Sequence, residues 1–191
     1  MRRIRILLCL PLLALVSLGC PKIKVLPVGL HPQETVNWCW AASGQMVMDY
    51  LGNNVVQCTQ ANNRFNRTDC PCNQCGSNPQ SNPPCVWGGW PEFSKYGFTF
   101  NRTSSTALSW ANLKKELKEG RPVAFTWKWS GNGGHMMVAF GYSIIGGTKY
   151  VWIRDPWSPC NGETRIITYS AYVSGTYYTH WDDFYVISQS N

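Results

Sequence analysis

The sequence predicts an α+β fold, on three observations. The first half carries apolar helical patterns stopped by glycine; a stretch rich in Asn, Pro, Gly and Cys follows; the last third is a series of short segments rich in β-branched and aromatic residues, bounded by Gly or Pro. With 191 residues, 44% of them hydrophobic, the chain has room for one domain or at most two small ones and for a real core.

Met1 to Gly19 has the layout of a secretory signal peptide: Arg2, Arg3 and Arg5, then ILLCLPLLALVSL, then Gly19 ahead of Cys20. It is too short and wrongly flanked for a spanning helix. A small residue before Cys20 also resembles a bacterial lipoprotein signal, with Ser17 where a leucine is usual, which makes Cys20 a lipidation candidate. Both cuts fall at the same bond. The expected organisation is a signal peptide over 1–19, an N-terminal linker or lipid anchor over 20–30, and a single domain over 31–191. Removing the signal leaves 14 Lys+Arg against 10 Asp+Glu, about +4, with no basic run longer than two residues, so nucleic acid is not an expected partner.

Gln33 to Gly52, QETVNWCWAASGQMVMDYLG, is the strongest helical signal. Asn37 suits an N-cap, Gly52 suits the position after the helix, and between them only Ser43, Gly44, Gln45 and Asp49 interrupt the apolar run. A helix apolar nearly all round belongs in the core. That places Cys39 at the N-terminal end, where unpaired backbone N–H groups and the helix dipole favour a thiolate. The plainer reading is a small buried hydrophobe, as free cysteines often are. A second, modest helix is expected around Thr59–Phe65.

Cys58, Cys70, Cys72, Cys75, Cys85 and Cys160 remain once Cys9, Cys20 and Cys39 are set aside, enough for three disulfides with fifteen connectivities open. A zinc site is the weaker alternative, because only Cys72 and Cys75 have C-x2-C spacing; neither metal nor cofactor is expected. Asn66 and Asn101 begin N-x-T triplets to which no function is assigned. Ser109–Glu119 reads as an amphipathic helix with Trp110, Leu113 and Leu117 on one face, Lys114, Lys115, Glu116 and Lys118 elsewhere, and Gly120 as its stop. Strands follow in PVAFTWKW, HMMVAFGYSI, KYVWIRDP, TRIITY and FYVIS, with a Gly146-Gly147 turn. Of three histidines, His135 is the candidate base, since the glycines before it let its ring reach a cleft while an apolar strand fixes its backbone. His31 and His180 read as packing or surface residues.

Gln33, six positions before Cys39, with Trp40 next, gives a Gln-x5-Cys-Trp pattern that resembles the nucleophile segment of papain-like cysteine peptidases. NWCWAA followed by MDYLG is most similar to a bacterial branch that includes staphopain-type and plant-pathogen effector peptidases and, more distantly, double-glycine leader peptidases. The resemblance implies a helical lobe with a central nucleophile helix, packed against an antiparallel β lobe, with the active site in the cleft between them. It also implies roles. Cys39 is the nucleophile and His135 the base; Asp155 orients His135 where plant papains use Asn; Gln33 joins the Cys39 N–H in an oxyanion hole; Trp40 and Trp157 shield the site. The expected protein is a monomeric, secreted, periplasmic or lipid-anchored peptidase acting on proteins or peptides, touching membrane only through Cys20. Two other functions fit the same residues: a related acyl transfer such as deamidation or transglutamination, and an inert secreted binding module presenting the ten tryptophans and nine tyrosines.

Overall fold

The computed structural model describes residues 22–73, 75 and 85–190; the signal segment 1–19 and Cys20 lie outside the described residues. Its helices and strands make the predicted α+β arrangement, with every strand pairing antiparallel among the described residues. Helix α1 (Cys39–Tyr50) is the apolar run, and Trp40 to Met48 are all buried in it. It closes as expected at Gly52 (φ 93°), where the Gly52 N–H reaches the Asp49 carbonyl and the Asn53 N–H reaches Met48. This is a Schellman arrangement, which needs the left-handed backbone that glycine adopts freely. Its start differs from the expectation. Trp38 is the N-cap and makes no side-chain cap, whereas Asn37 has a left-handed backbone and donates its amide to the Val86 carbonyl at 2.9 Å.

Helix α2 (Gln57–Phe65) packs on α1, and α3 (Trp110–Lys118) begins where Ser109 Oγ accepts the Asn112 N–H at 3.3 Å. Glu116, assigned from the pattern to the polar face of α3, is instead buried. Its carboxylate takes two hydrogen bonds from Arg121, at 2.7 and 2.9 Å, and the Val186 N–H at 3.0 Å.

The sheet runs β2 (Phe98–Arg102), β8 (Tyr178–Gln189), β3 (Val123–Trp129), β4 (Gly134–Ile145), β5 (Thr148–Asp155) and β6 (Glu163–Thr168), with β1 (Lys22–Val25) beside β4 and a two-residue β7 (Ser174–Gly175) beside β8. Strand β4 is its spine: His135 to Ser143 are buried, and the strand is long enough for β3 to pair with its first half and β1 with its second. Lys22–Val25, read as linker, therefore forms part of the sheet, and Leu26 and Val28 just after it enter the core. A short helix α4 (Tyr169–Val173), which no sequence pattern announced, follows β6 and opens with Thr168 Oγ1 accepting the Ala171 N–H at 3.2 Å.

The six cysteines pair as Cys58–Cys72, Cys70–Cys85 and Cys75–Cys160, while Cys39 has no disulfide partner among the described residues. Two of these bridges tie the loop after α2; the third joins it to the loop after β5. Three disulfides fit an oxidising compartment. No described helix is long and apolar enough to cross a membrane.

Candidate active site

A cleft of about 800 Å³ opens beside the N-terminus of α1, and Gln33, Cys39, Trp40, His135, Asp155 and Trp157 all line it. Topology explains why residues so far apart in sequence meet there. Antiparallel pairing through the Gly146-Gly147 turn brings the start of β4 beside the end of β5. By that register Asp155 lies across from the residue two along from His135, so both side chains share one face as diagonal neighbours. The apolar body of α1 packs against β4, which carries the α1 N-terminus, and Cys39 with it, to the same edge.

His135 Nε2 lies 2.6 Å from Asp155 Oδ1. Cys39 is within hydrogen-bonding reach of the same ring, which leaves Nδ1 as the nitrogen for it. Burial of His135 disfavours its charged form, but the bonds to Asp155 and Cys39 and their negative charge outweigh it and raise its pKa to about 9. Asp155 is also buried, which pushes its pKa up. The His135 ring, the Trp157 N–H at 3.0 Å and the Arg165 guanidinium at 2.9 Å overcome that, and its carboxyl stays below the ordinary value.

Gln33 is buried, and its backbone is held on both sides by the loop after β5: its N–H reaches the Pro156 carbonyl at 3.1 Å, and its carbonyl takes the Cys160 N–H at 2.8 Å. Its Nε2 donates to the Thr35 carbonyl at 2.9 Å, and its Oε1 has no hydrogen-bond partner among the described residues. One of the two amide protons is thus committed locally, leaving one for the cleft. Trp157 is 55% exposed and stands edge-on to His135, with ring centroids 6.4 Å apart. Trp129, which sequence reasoning left among the strand residues, stacks parallel to the same ring at 6.3 Å. Trp40 is a core residue whose edge reaches the cleft; its indole N–H donates to the Trp87 carbonyl at 3.3 Å.

The other histidines sit elsewhere. His31 pairs with Asp49 at 2.8 Å, and His180 is buried against Asp183 and the Tyr172 carbonyl. Two arginines of the cleft were not anticipated. Arg165 stands in β6 opposite Ile153, on the face that Asp155 shares, so the strand period of two applied to TRIITY carried its signal. Arg64 lies in the last turn of α2, where only its charge distinguished it.

Cys70 and Cys85, which with Asp69 lie close enough for joint ligation of an ion, are bonded to each other. A comparison with curated proteins returned no match. A comparison with protein families matches residues 25–185, most of the chain, to the Peptidase_C39 like family. The chain belongs to that family of cysteine peptidases.

Proposed function

We propose that this protein is an exported peptidase that hydrolyses peptide bonds through Cys39, His135 and Asp155 by way of an acyl-enzyme. The observation that carries the reading is His135, buried at the cleft wall between Asp155 at 2.6 Å and the thiol of Cys39. A nucleophile, a base in contact with it and a carboxylate that fixes the base are the elements of covalent acyl transfer.

His135 takes the proton of Cys39, and the thiolate attacks the carbonyl carbon of the scissile bond, moving its π electrons onto oxygen. That oxyanion lies at the N-terminus of α1, where the uncapped Cys39 N–H and the second amide proton of Gln33 supply donors. The C–N bond then breaks, the amine leaves with the proton from His135, and Cys39 holds the acyl group as a thioester. Water loses a proton to His135, attacks the thioester and releases the acid. Asp155 keeps the ring oriented and stabilises its charged form throughout.

Export rests on the signal-like residues 1–19 and on the three disulfides. A cut before Cys20 would leave either a free N-terminus or a lipid anchor.

The test is labelling of the folded, non-reduced protein with an epoxide cysteine-peptidase inhibitor, mapped by mass spectrometry, followed by product analysis on a protein substrate. Modification at Cys39, its loss in His135→Ala, and new amino termini in the products are expected. Products with ammonia released or amines incorporated, and no new termini, would replace hydrolysis by the related acyl transfers. No labelling at all would leave a binding module.

A further inference from the structure

Arg64 is the cleft residue whose charge the proposed chemistry does not use. Among the described residues, four charged or chargeable side chains besides Cys39 line the cleft: Arg64, His135, Asp155 and Arg165. Arg165 is matched by Asp155 at 2.9 Å, and His135 with Cys39 forms a neutral ensemble. Arg64 is left as the excess positive charge. Its nearest carboxylate, Glu92, makes a long ion pair with it at 3.8 Å and is shared with Lys95, which takes the other oxygen at 3.0 Å. The stretch 74–84 contains no Asp or Glu that could neutralise it.

The side chain is also held in place. Its guanidinium lies over the Trp40 ring, 5.5 Å from the centroid, and its Nε is buried without a hydrogen-bond partner among the described residues. Gly89 makes room for this: a Cβ there would stand 2.4 Å from Arg64 Nε and 3.0 Å from the Trp40 ring. A charge serving only the C-terminus of α2 could do so from any extended rotamer, and needs neither the stacking nor the glycine. A guanidinium stacked on an aromatic ring, with donors left to satisfy, is preorganised for a carboxylate.

The geometry points to Arg64 as a specificity residue: the cleft takes peptides that place an Asp or Glu side chain against the α2 wall, paired with this guanidinium. The inference rests on the peptidase reading and names a substrate class for it.

The experiment is cleavage of a peptide library derived from a proteome digest, with cut sites mapped for the wild type, Cys39→Ala, Arg64→Gln and Gly89→Ala. Wild-type sites should be enriched in Asp and Glu at one fixed distance from the scissile bond. For a matched pair of peptides with Glu or Gln at that position, kcat/KM should favour Glu by about ten- to hundredfold at low salt, and less as salt rises. The ratio should fall to about one in Arg64→Gln and drop in Gly89→Ala. Cys39-dependent cleavage with no acidic preference, or a preference that survives in Arg64→Gln, overturns this inference alone. Absence of any Cys39-dependent cleavage overturns the peptidase reading and the inference with it.

Discussion

Asp155 receives three donors, and each pulls its titration the same way. Because the pKa of His135 is raised to about 9, its imidazolium contributes stability that is full below the unfolded value of about 6.5 and is lost as pH rises through the folded value. The melting temperature should therefore decline between about pH 7 and pH 9, and that part of the decline should vanish in His135→Ala; equal slopes in the two proteins would count against the ion pair. Asp155 is depressed, so its contribution is present above the unfolded carboxylate value and disappears as pH falls through the lower folded one. Replacing Arg165 by Gln removes one of the groups that hold it down, and the acid limb of kcat/KM should move upward in pH while the alkaline limb stays. An unmoved acid limb would reduce Arg165 to a surface charge. For Gln33→Ala, loss of the proposed oxyanion donor should lower kcat by about a hundred- to thousandfold with little change in KM; unchanged turnover would assign the amide to its Thr35 contact alone.

Among the elements, Glu116 shows where a charge belongs to the core. The helical pattern gave α3 an apolar stripe at Leu113 and Leu117, and Glu116 flanks that stripe, about 60° round the helix from Leu113 at 3.6 residues per turn. Its burial is compensated by Arg121 and by the N–H of Val186, a residue with left-handed backbone where the pairing of β8 with β2 slips. Glu116→Ala would strand the Val186 N–H and leave Arg121 to Glu119 alone, with an expected loss of about 2–4 kcal/mol in urea unfolding; Glu116→Gln, which keeps an acceptor, should lose less. Legibility divided along the same line. Long periodic segments gave α1, α3 and the strands from β3 to β6, and the nucleophile motif with one glycine-flanked histidine and one strand-ending aspartate pointed to the residues that the cleft brings together. Strand β1 was hidden because KIKV is short, half lysine and fully exposed, and exists because β4 outruns β3. Helix α4 and the Asn37 turn depend on partners distant in sequence. So does the Arg165 contact, which strand register creates.

On the scale of the whole molecule, the cleft is lined from the N-terminal segment, the helices and the sheet, and disulfides tie the loops around it. Cys75–Cys160 is one, with a sequence separation of 85, and Cys160 also donates its N–H to the Gln33 carbonyl. On the chain-entropy account a bridge closing so long a loop contributes about 4–5 kcal/mol. The double variant Cys75→Ser/Cys160→Ser should accordingly melt lower and lose turnover by loosening Gln33; a variant equally stable and equally active would make the bridge incidental. The coexistence of this bridge with the thiol of Cys39 has a practical side. Thiol reductants added to wake an oxidised Cys39 also attack the stitches that hold its surroundings, so activity should climb, peak and then collapse as reductant increases, and the useful window is the gap between regenerating one sulfur and releasing six others.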